Sequence, residues 1–187
     1  MRPALIVVDM LEEFVHGRLR SPQAESIVPA IRRLLDKAHG KGIPVIHVVD
    51  AHLPFDHEFK VWGPHAIKGS PEARIISELT PGEKDLVFEK RFYSGFRDTG
   101  LDAALRDLQV DTLLITGIHT HICVLHTVMD AFYHRYKVYV VRDAVAAFSQ
   151  EDHEYALKYM EKVYGAELVG LEEALSLMEK AQGALQA

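Results

Sequence analysis

The chain has 187 residues, 48% of them hydrophobic, and a formal net charge of −6 at pH 7. This length is enough to bury a full hydrophobic core, so we expect residues 1–187 to form a single domain. The acidic balance and the dispersed charges argue against nucleic-acid binding. The N-terminal apolar run is too short for a signal peptide or a membrane span, and one cysteine excludes an intrachain disulfide; we therefore expect a cytoplasmic protein with no membrane partner.

Apolar runs of strand length alternate with helical patterns along the whole chain. We predict strands at residues 4–8, 44–49, 85–89, 112–115, 137–141 and 167–169. We predict helices at residues 22–39, 72–79, 99–108, 123–136, 149–164 and 171–184. Continuous apolar strands that alternate with helices are typical of a parallel sheet covered on both faces. The prediction is a three-layer α/β/α fold with a central, mainly parallel six-stranded sheet.

Four chemically active residues follow the carboxyl ends of four predicted strands. They are Asp9, Asp50, Lys90 and Cys123, and the last is the only cysteine of the chain. Ligands bind at the carboxyl edge of such sheets, beside the point where the strand order reverses. If the first and fourth strands are neighbours, Asp9 and Cys123 face each other at that point. We therefore expect all four side chains at one edge of the sheet.

An acid, an amine and a thiol at one edge indicate acyl transfer through a covalent intermediate. The Lys90 ammonium and the start of the following helix would lower the pKa of the Cys123 thiol. Asp9 would accept the thiol proton and return it to the leaving amine. The turn at residues 117–120 and the amide of Cys123 would supply N–H donors to the oxyanion. A buried cysteine without chemical function is the competing interpretation.

A second group lies in the long polar loop at residues 51–70. Asp50, His52 and His65 supply one carboxylate and two imidazoles, a set that holds a divalent metal and leaves positions open. Zinc, iron and manganese all accept such ligands. Solvated histidines are the competing interpretation. His57 is either a further ligand or a surface residue, and we favour the surface position.

These motifs together resemble the isochorismatase-like cysteine hydrolases, and among them the nicotinamidases most closely. The resemblance runs from residue 4 to about residue 164. The segments that carry it are Val7-Val8-Asp9-Met10 with Phe14, Asp50-Ala51-His52, Trp62-Gly63-Pro64-His65, the stretch from Lys90 to Phe96, and the stretch from Thr116 to Cys123. No single segment is specific, but their combination is.

The resemblance implies a catalytic triad of Asp9, Lys90 and Cys123. It also implies a cis peptide bond before His119, with the backbone amides of His119 and Cys123 as the oxyanion hole. A small-molecule amide substrate and a homo-oligomeric state follow from the same resemblance.

In nicotinamidases, an Asp-x-His motif with a downstream histidine holds one metal, which binds the ring nitrogen of the substrate. The resemblance therefore implies one divalent metal at Asp50, His52 and His65, zinc in the first place, with iron and manganese as alternatives. It also places Phe14, Trp62 and Tyr93 around an aromatic ring; core packing is the alternative for each of them. Such an enzyme would act in NAD salvage.

The chain departs from the family pattern at Thr120-His121, where the family commonly has Thr-Asp or Thr-Asn, and at Ala66, where it often has cysteine. These departures concern the substrate more than the chemistry. Three hypotheses therefore stand: a metal-assisted nicotinamidase, another small-amide or carbamoyl hydrolase of the same fold, and a non-catalytic binding protein. We expect the side chains of His119 and His121 to line the pocket.

Overall fold

Six strands form one sheet in a computed structural model that describes residues 1–181. The strands are β1 (Pro3–Val8), β2 (Val45–Asp50), β3 (Leu86–Lys90), β4 (Thr112–Ile118), β5 (Lys137–Ala146) and β6 (Glu167–Val169). Their order is β3-β2-β1-β4-β5-β6, and every neighbouring pair is parallel. The predicted six-stranded parallel sheet is confirmed, and β1 and β4 are neighbours at the point where the order reverses.

Helices connect the strands. The α-helices are α1 (Glu12–Val15), α2 (Ala24–Lys41), α3 (Phe59–Trp62), α4 (Leu101–Asp107), α5 (Leu125–Tyr133), α6 (Gln150–Tyr164) and α7 (Leu171–Glu179). The prediction of a helix at 72–79 is wrong, because two short 3-10 turns, Pro71–Ala73 and Ser77–Leu79, occupy this stretch. The sequence pattern also missed α1 and α3, which are single turns. The end of the predicted helix at 171–184 lies partly outside the described residues.

The sheet has a hydrophobic layer on each face. Alternate residues of β1 point to opposite sides, so Leu5 and Val7 join the core beneath α2 and α7, whereas Ile6 and Val8 join the core beneath α4, α5 and α6. All six residues of β1 are buried, as expected for a central strand of a parallel sheet. The three-layer prediction is confirmed.

The exits of β1 and β4 lie unusually close together. Gly117 has a positive φ of 107°, and a Cβ atom there would lie 2.0 Å from the carbonyl oxygen of Val8. Only glycine fits this position without displacing the backbone. Asp9, the first residue after β1, also has a positive φ, of 50°. This close approach brings the residue after β1 beside the turn that follows β4.

The helix after β4 differs from its prediction. A π-turn at Thr120–Val124 precedes α5, so Cys123 lies in this turn and the regular helix begins two residues later. The end of α5 is not buried, because Phe132 and Tyr133 are exposed although their hydrophobic character favours a core position. Only one face of α5 packs on the sheet.

No helix within residues 1–181 is both long enough and apolar enough to cross a lipid bilayer.

Candidate active site and metal-ligand cluster

The structure brings Lys90, Asp9 and Cys123 together at the carboxyl edge of the sheet. The Lys90 Nζ atom lies 2.7 Å from Asp9 Oδ2 and 3.6 Å from Cys123 Sγ. The same ammonium lies 2.5 Å from Asp50 Oδ1. Oxygen atoms of Asp9 and Asp50 and the Cys123 sulfur all lie within 4.8 Å of one another. The expected convergence of these four side chains is therefore present.

Strand register accounts for this convergence. Asp50 pairs with Lys90 at the shared ends of β2 and β3. The Asp50 backbone N–H donates to Asp9 Oδ1 over 2.8 Å, which ties the exits of β1 and β2 together. Cys123 follows β4 on the other side of β1. The long Lys90 side chain reaches across β2 because the two carboxylates attract its ammonium.

Burial dominates the electrostatics of this group. Lys90, Asp9 and Cys123 are 1%, 0% and 5% exposed. Burial and the neighbouring Asp50 carboxylate raise the pKa of Asp9 to about 7, although Lys90 acts in the opposite direction. Such a carboxylate is suited to exchange protons near neutral pH.

Burial also raises the pKa of the Cys123 thiol well above its ordinary value, and the attraction of Lys90 offsets this only in part. The expected lowering by Lys90 is thus present but outweighed, and the resting side chain is a thiol with a proton acceptor beside it. Burial acts to lower the pKa of Lys90, but the Asp50 and Asp9 carboxylates outweigh it and raise this pKa, which keeps the buried amine charged.

A second cluster adjoins the first through Asp50. Side-chain atoms of Asp50, His52, Glu58 and His65 lie within 4.8 Å of one another. The Nε2 atom of His52 is 3.6 Å from Asp50 Oδ2 and 3.9 Å from Glu58 Oε1, and the Nε2 atom of His65 is 3.6 Å from the same Glu58 oxygen. The three residues expected at a metal site are therefore together, with a fourth beside them.

The hydrogen bonds of the two histidines fit a metal-binding role. His52 Nδ1 lies 3.0 Å from Asp56 Oδ2, and His65 Nδ1 lies 2.8 Å from the Gly63 carbonyl oxygen. When each Nδ1 carries the proton and donates it to these oxygens, each Nε2 presents a lone pair to the cluster. The Nε2 atom of His52 is buried and has no hydrogen-bond partner among the described residues. Two imidazoles and two carboxylates suit a divalent cation.

Glu58 is the residue of this cluster that the sequence interpretation missed. It immediately precedes α3, a single turn that periodicity does not detect, and this turn directs its side chain towards His65. His57 is exposed and is not part of the cluster, in agreement with the surface position that we favoured.

Aromatic side chains line a narrow cavity of about 20 Å³ that Cys123, Asp50, Glu58 and His65 also line. Phe14, Trp62 and Tyr93, all expected near a substrate ring, contribute to its wall. Trp62 Nε1 donates to the Tyr93 hydroxyl over 3.1 Å. The ring of Phe14 lies edge-on to His65, with a centroid distance of 5.9 Å. The cavity thus joins the thiol to the metal-ligand cluster.

The turn that holds Cys123 supplies the other wall. The peptide bond between Ile118 and His119 is cis, as the resemblance implies. The His119 ring lines the cavity and packs on Phe148 at a centroid distance of 4.0 Å. Burial and the neighbouring His121 lower the pKa of His119 to about 3, so its ring is neutral. The expectation that His121 also lines the pocket is wrong, because its ring lies 6.2 Å from that of His119 and is not part of the cavity wall.

Known proteins agree with this fold. Residues 3–173 match the family model described as the isochorismatase domain, so the chain belongs to the isochorismatase family. Solved structures of relatives superpose along almost the entire chain. N-carbamoylsarcosine amidase from Thermoplasma acidophilum is 42% identical, with a TM-score of 0.87, and the match covers 92% of this chain and 98% of that one.

Two further similar structures are those of a nicotinamidase and a pyrazinamidase. Nicotinamidase PncA from Bacillus subtilis is 32% identical, with a TM-score of 0.86 and coverage of 90% of this chain and 99% of that one. Pyrazinamidase of Pyrococcus horikoshii, solved in complex with zinc, is 33% identical, with a TM-score of 0.82 and coverage of 91% and 99%. The chain is therefore similar to a nicotinamidase, to a pyrazinamidase and to an N-carbamoylsarcosine amidase.

Proposed function

We propose that this protein is a metal-assisted cysteine amidohydrolase that converts nicotinamide and water to nicotinate and ammonia. One observation carries the proposal: Cys123 and three members of the metal-ligand cluster line the same small cavity. A thiol with a proton acceptor beside it, in a cavity that metal ligands also line, fits amide hydrolysis through a thioester better than it fits ligand binding alone.

In the proposed mechanism, the Cys123 sulfur attacks the carbonyl carbon of the amide while its proton passes to Asp9. The backbone amides of His119 and Cys123 stabilise the oxyanion that forms. Asp9 then returns the proton to the amide nitrogen, the carbon–nitrogen bond breaks, and ammonia leaves a thioester on Cys123. Asp9 next takes a proton from water, whose oxygen attacks the thioester, and it returns that proton to the sulfur as the acid leaves. Lys90 holds the Asp9 carboxylate in place throughout.

Asp50, His52 and His65 would hold the metal, and Glu58 is a fourth candidate ligand. The unpartnered Nε2 atom of His52 and the mixed imidazole and carboxylate donors support a divalent cation at this position. We propose zinc, because a pyrazinamidase relative is in complex with zinc. When bound, the metal would fix the ring nitrogen of the substrate and thereby orient the amide towards Cys123.

The aromatic wall supports a planar ring as the rest of the substrate. Phe14, Trp62 and Tyr93 would pack on such a ring, since aromatic side chains favour edge-on and offset contacts with other rings. We further propose that residues 1–187 act as one domain in the cytoplasm, where a reducing environment keeps Cys123 a thiol. Nicotinamide hydrolysis would place the protein in NAD salvage.

Hydrolysis of an N-carbamoyl amide is the second candidate function. Two observations favour it: the 42% identity to an N-carbamoylsarcosine amidase, and the buried Nε2 atom of His119, which has no hydrogen-bond partner among the described residues. A polar side chain in the cavity wall without a partner suits a substrate that carries a hydrogen-bonding group beyond its amide.

An ammonia-release assay separates these functions. The zinc-loaded protein is given nicotinamide, pyrazinamide and N-carbamoylsarcosine in parallel, with Cys123→Ala as the control. We expect kcat/KM to be highest for nicotinamide and ammonia release to vanish in Cys123→Ala. A higher kcat/KM for N-carbamoylsarcosine would favour the second candidate. No turnover of any amide by the metal-loaded protein would contradict both.

A further inference from the structure

Five aromatic side chains, three of them exposed and two half-buried, form a row across the outer faces of α5 and α6. Tyr133 is 70% exposed, Tyr155 65% and Phe132 45%. The ring centroids of Phe132 and Tyr164 lie 5.7 Å apart, those of Tyr164 and Tyr159 5.8 Å, and those of Tyr159 and Tyr155 5.9 Å. These five residues are called the aromatic row below. Contiguous aromatic surface of this kind is typical of protein interaction sites.

A stripe of charges runs along α6 beside the row. Glu151, Tyr155, Lys158 and Lys162 are all exposed, and their spacings of four, three and four residues place them on one face of the helix. None of these three charged side chains forms an ion pair with another residue of the described chain. The stripe is acidic at the N-terminal end of the helix and basic at its C-terminal end.

This stripe is complementary to itself when reversed. In an antiparallel pair of α6 helices related by a two-fold axis between Ala156 and Leu157, positions equally distant from the axis face each other. Glu151 then faces Lys162 of a second copy, and Tyr155 faces Lys158 of that copy. The first pair is an ion pair, and the second allows a cation–π contact. A two-fold interface requires this kind of self-complementary surface.

We propose that the aromatic row and the charged stripe of α6 form the surface on which a second copy of this chain docks, with the two α6 helices antiparallel. The helix dipole alone also favours an acidic N-terminal end and a basic C-terminal end of α6, and it is the alternative explanation for the order of these charges. The dipole does not account for an exposed tyrosine in the middle of the stripe or for the row beside it. A second copy accounts for both, because aromatic side chains dominate the binding energy of protein interfaces.

Charge reversal combined with rescue tests the proposal by sedimentation equilibrium of the full-length protein. Glu151→Lys and Lys162→Glu each place like charges opposite each other, so we expect either change to weaken the dimer by about tenfold or more. In the double variant the two charges are exchanged, so that opposite charges again face each other across the interface. We therefore expect its dissociation constant to return close to that of the unchanged protein. Tyr155→Ala should weaken the dimer by at least about tenfold.

Glu25→Lys is the matched control, because Glu25 is an exposed glutamate in the first turn of α2, as Glu151 is in α6. It should leave the dimer unchanged, and circular dichroism should show each variant folded. A protein that stays monomeric at every concentration overturns the proposal, because the aromatic row then does not bind a second copy of the chain. A dimer that Glu151→Lys and Lys162→Glu do not weaken, or that the double variant does not restore, also overturns it. Neither outcome bears on the amidohydrolase chemistry.

Discussion

At the scale of single residues, Lys90 connects the two halves of the candidate site. Its buried ammonium contacts Asp9, which we assign to proton transfer, and Asp50, which we assign to metal binding. A buried cation is stable only where opposite charges compensate its lost hydration, and two carboxylates do so here. The same contacts hold both carboxylates in place. The triad and the metal-ligand cluster are therefore parts of one network.

Asp9→Asn tests the proton acceptor with almost no change in side-chain shape. The amide cannot accept the thiol proton, so we expect kcat to fall by about 10² to 10⁴. The melting temperature should be measured beside the rate, because Asp9 also accepts the Asp50 N–H. A folded Asp9→Asn variant with unchanged kcat would contradict the assigned role.

Glu58→Gln tests the fourth candidate ligand. The change removes one negative charge from the cluster, so we expect zinc affinity to fall by about 10-fold to 100-fold in a competition titration with a chelator. His57→Gln is the matched control, since His57 is adjacent in sequence but exposed. Equal losses in the two variants would exclude a specific contribution of Glu58.

The sequence predicts most of this site because strand ends are readable from apolar runs. Asp9, Asp50 and Lys90 each follow such a run, and parallel strands bring their ends to one edge. Glu58 could not be predicted in this way, because its position depends on a single helical turn within a long loop. The dominance of burial over the attraction of Lys90 at Cys123 also depends on packing, which the order of residues does not reveal.

At the scale of elements, the turn between β4 and α5 depends on the close approach of two strand exits. Val8 pairs with Gly117, and the absence of a side chain there lets the backbone of β1 pass. The sequence predicts that a strand meets a helix near Cys123. It does not predict the π-turn, because the turn forms only where β1 and the following helix constrain it.

Gly117→Ala should be among the most destabilising single changes in the chain. The added methyl group would overlap the Val8 carbonyl oxygen at 2.0 Å, and φ is positive at this position. We expect the free energy of unfolding to fall by at least about 2 kcal/mol in urea titrations, with loss of activity.

Gly40→Ala is the control for this change. Gly40 lies within α2, and its added methyl group would meet nothing within 4 Å. Alanine there should increase the free energy of unfolding by about 0.5 to 1 kcal/mol. Equal effects of the two substitutions would contradict the steric account of Gly117.

At the scale of the whole molecule, strand order determines which side chains meet. Lys90 and Asp50 end β3 and β2, whereas Asp9 and Cys123 follow β1 and β4. These four strands are consecutive in the sheet although they are dispersed in the sequence. An all-parallel sheet places all four at the same edge. This arrangement follows from the alternation of strands and helices, so the fold and the position of the site were predictable together.

The outer surface was less predictable than the interior. Phe132 and Tyr133 are apolar, and the pattern assigns apolar residues to the core, but both are exposed at the end of α5. The surface that we propose for a second copy of the chain is rich in aromatic residues, as an interior is. Sequence patterns cannot distinguish the two until the packing of the helix on the sheet is known.

The central claim is that Cys123 forms the covalent intermediate. Its most direct test is intact-mass analysis of the zinc-loaded protein, quenched with acid during turnover of nicotinamide, followed by peptide mapping. We predict a nicotinoyl adduct on the peptide that contains Cys123, and none in Cys123→Ala. Amide hydrolysis by Cys123→Ala at the rate of the unchanged protein would contradict the account.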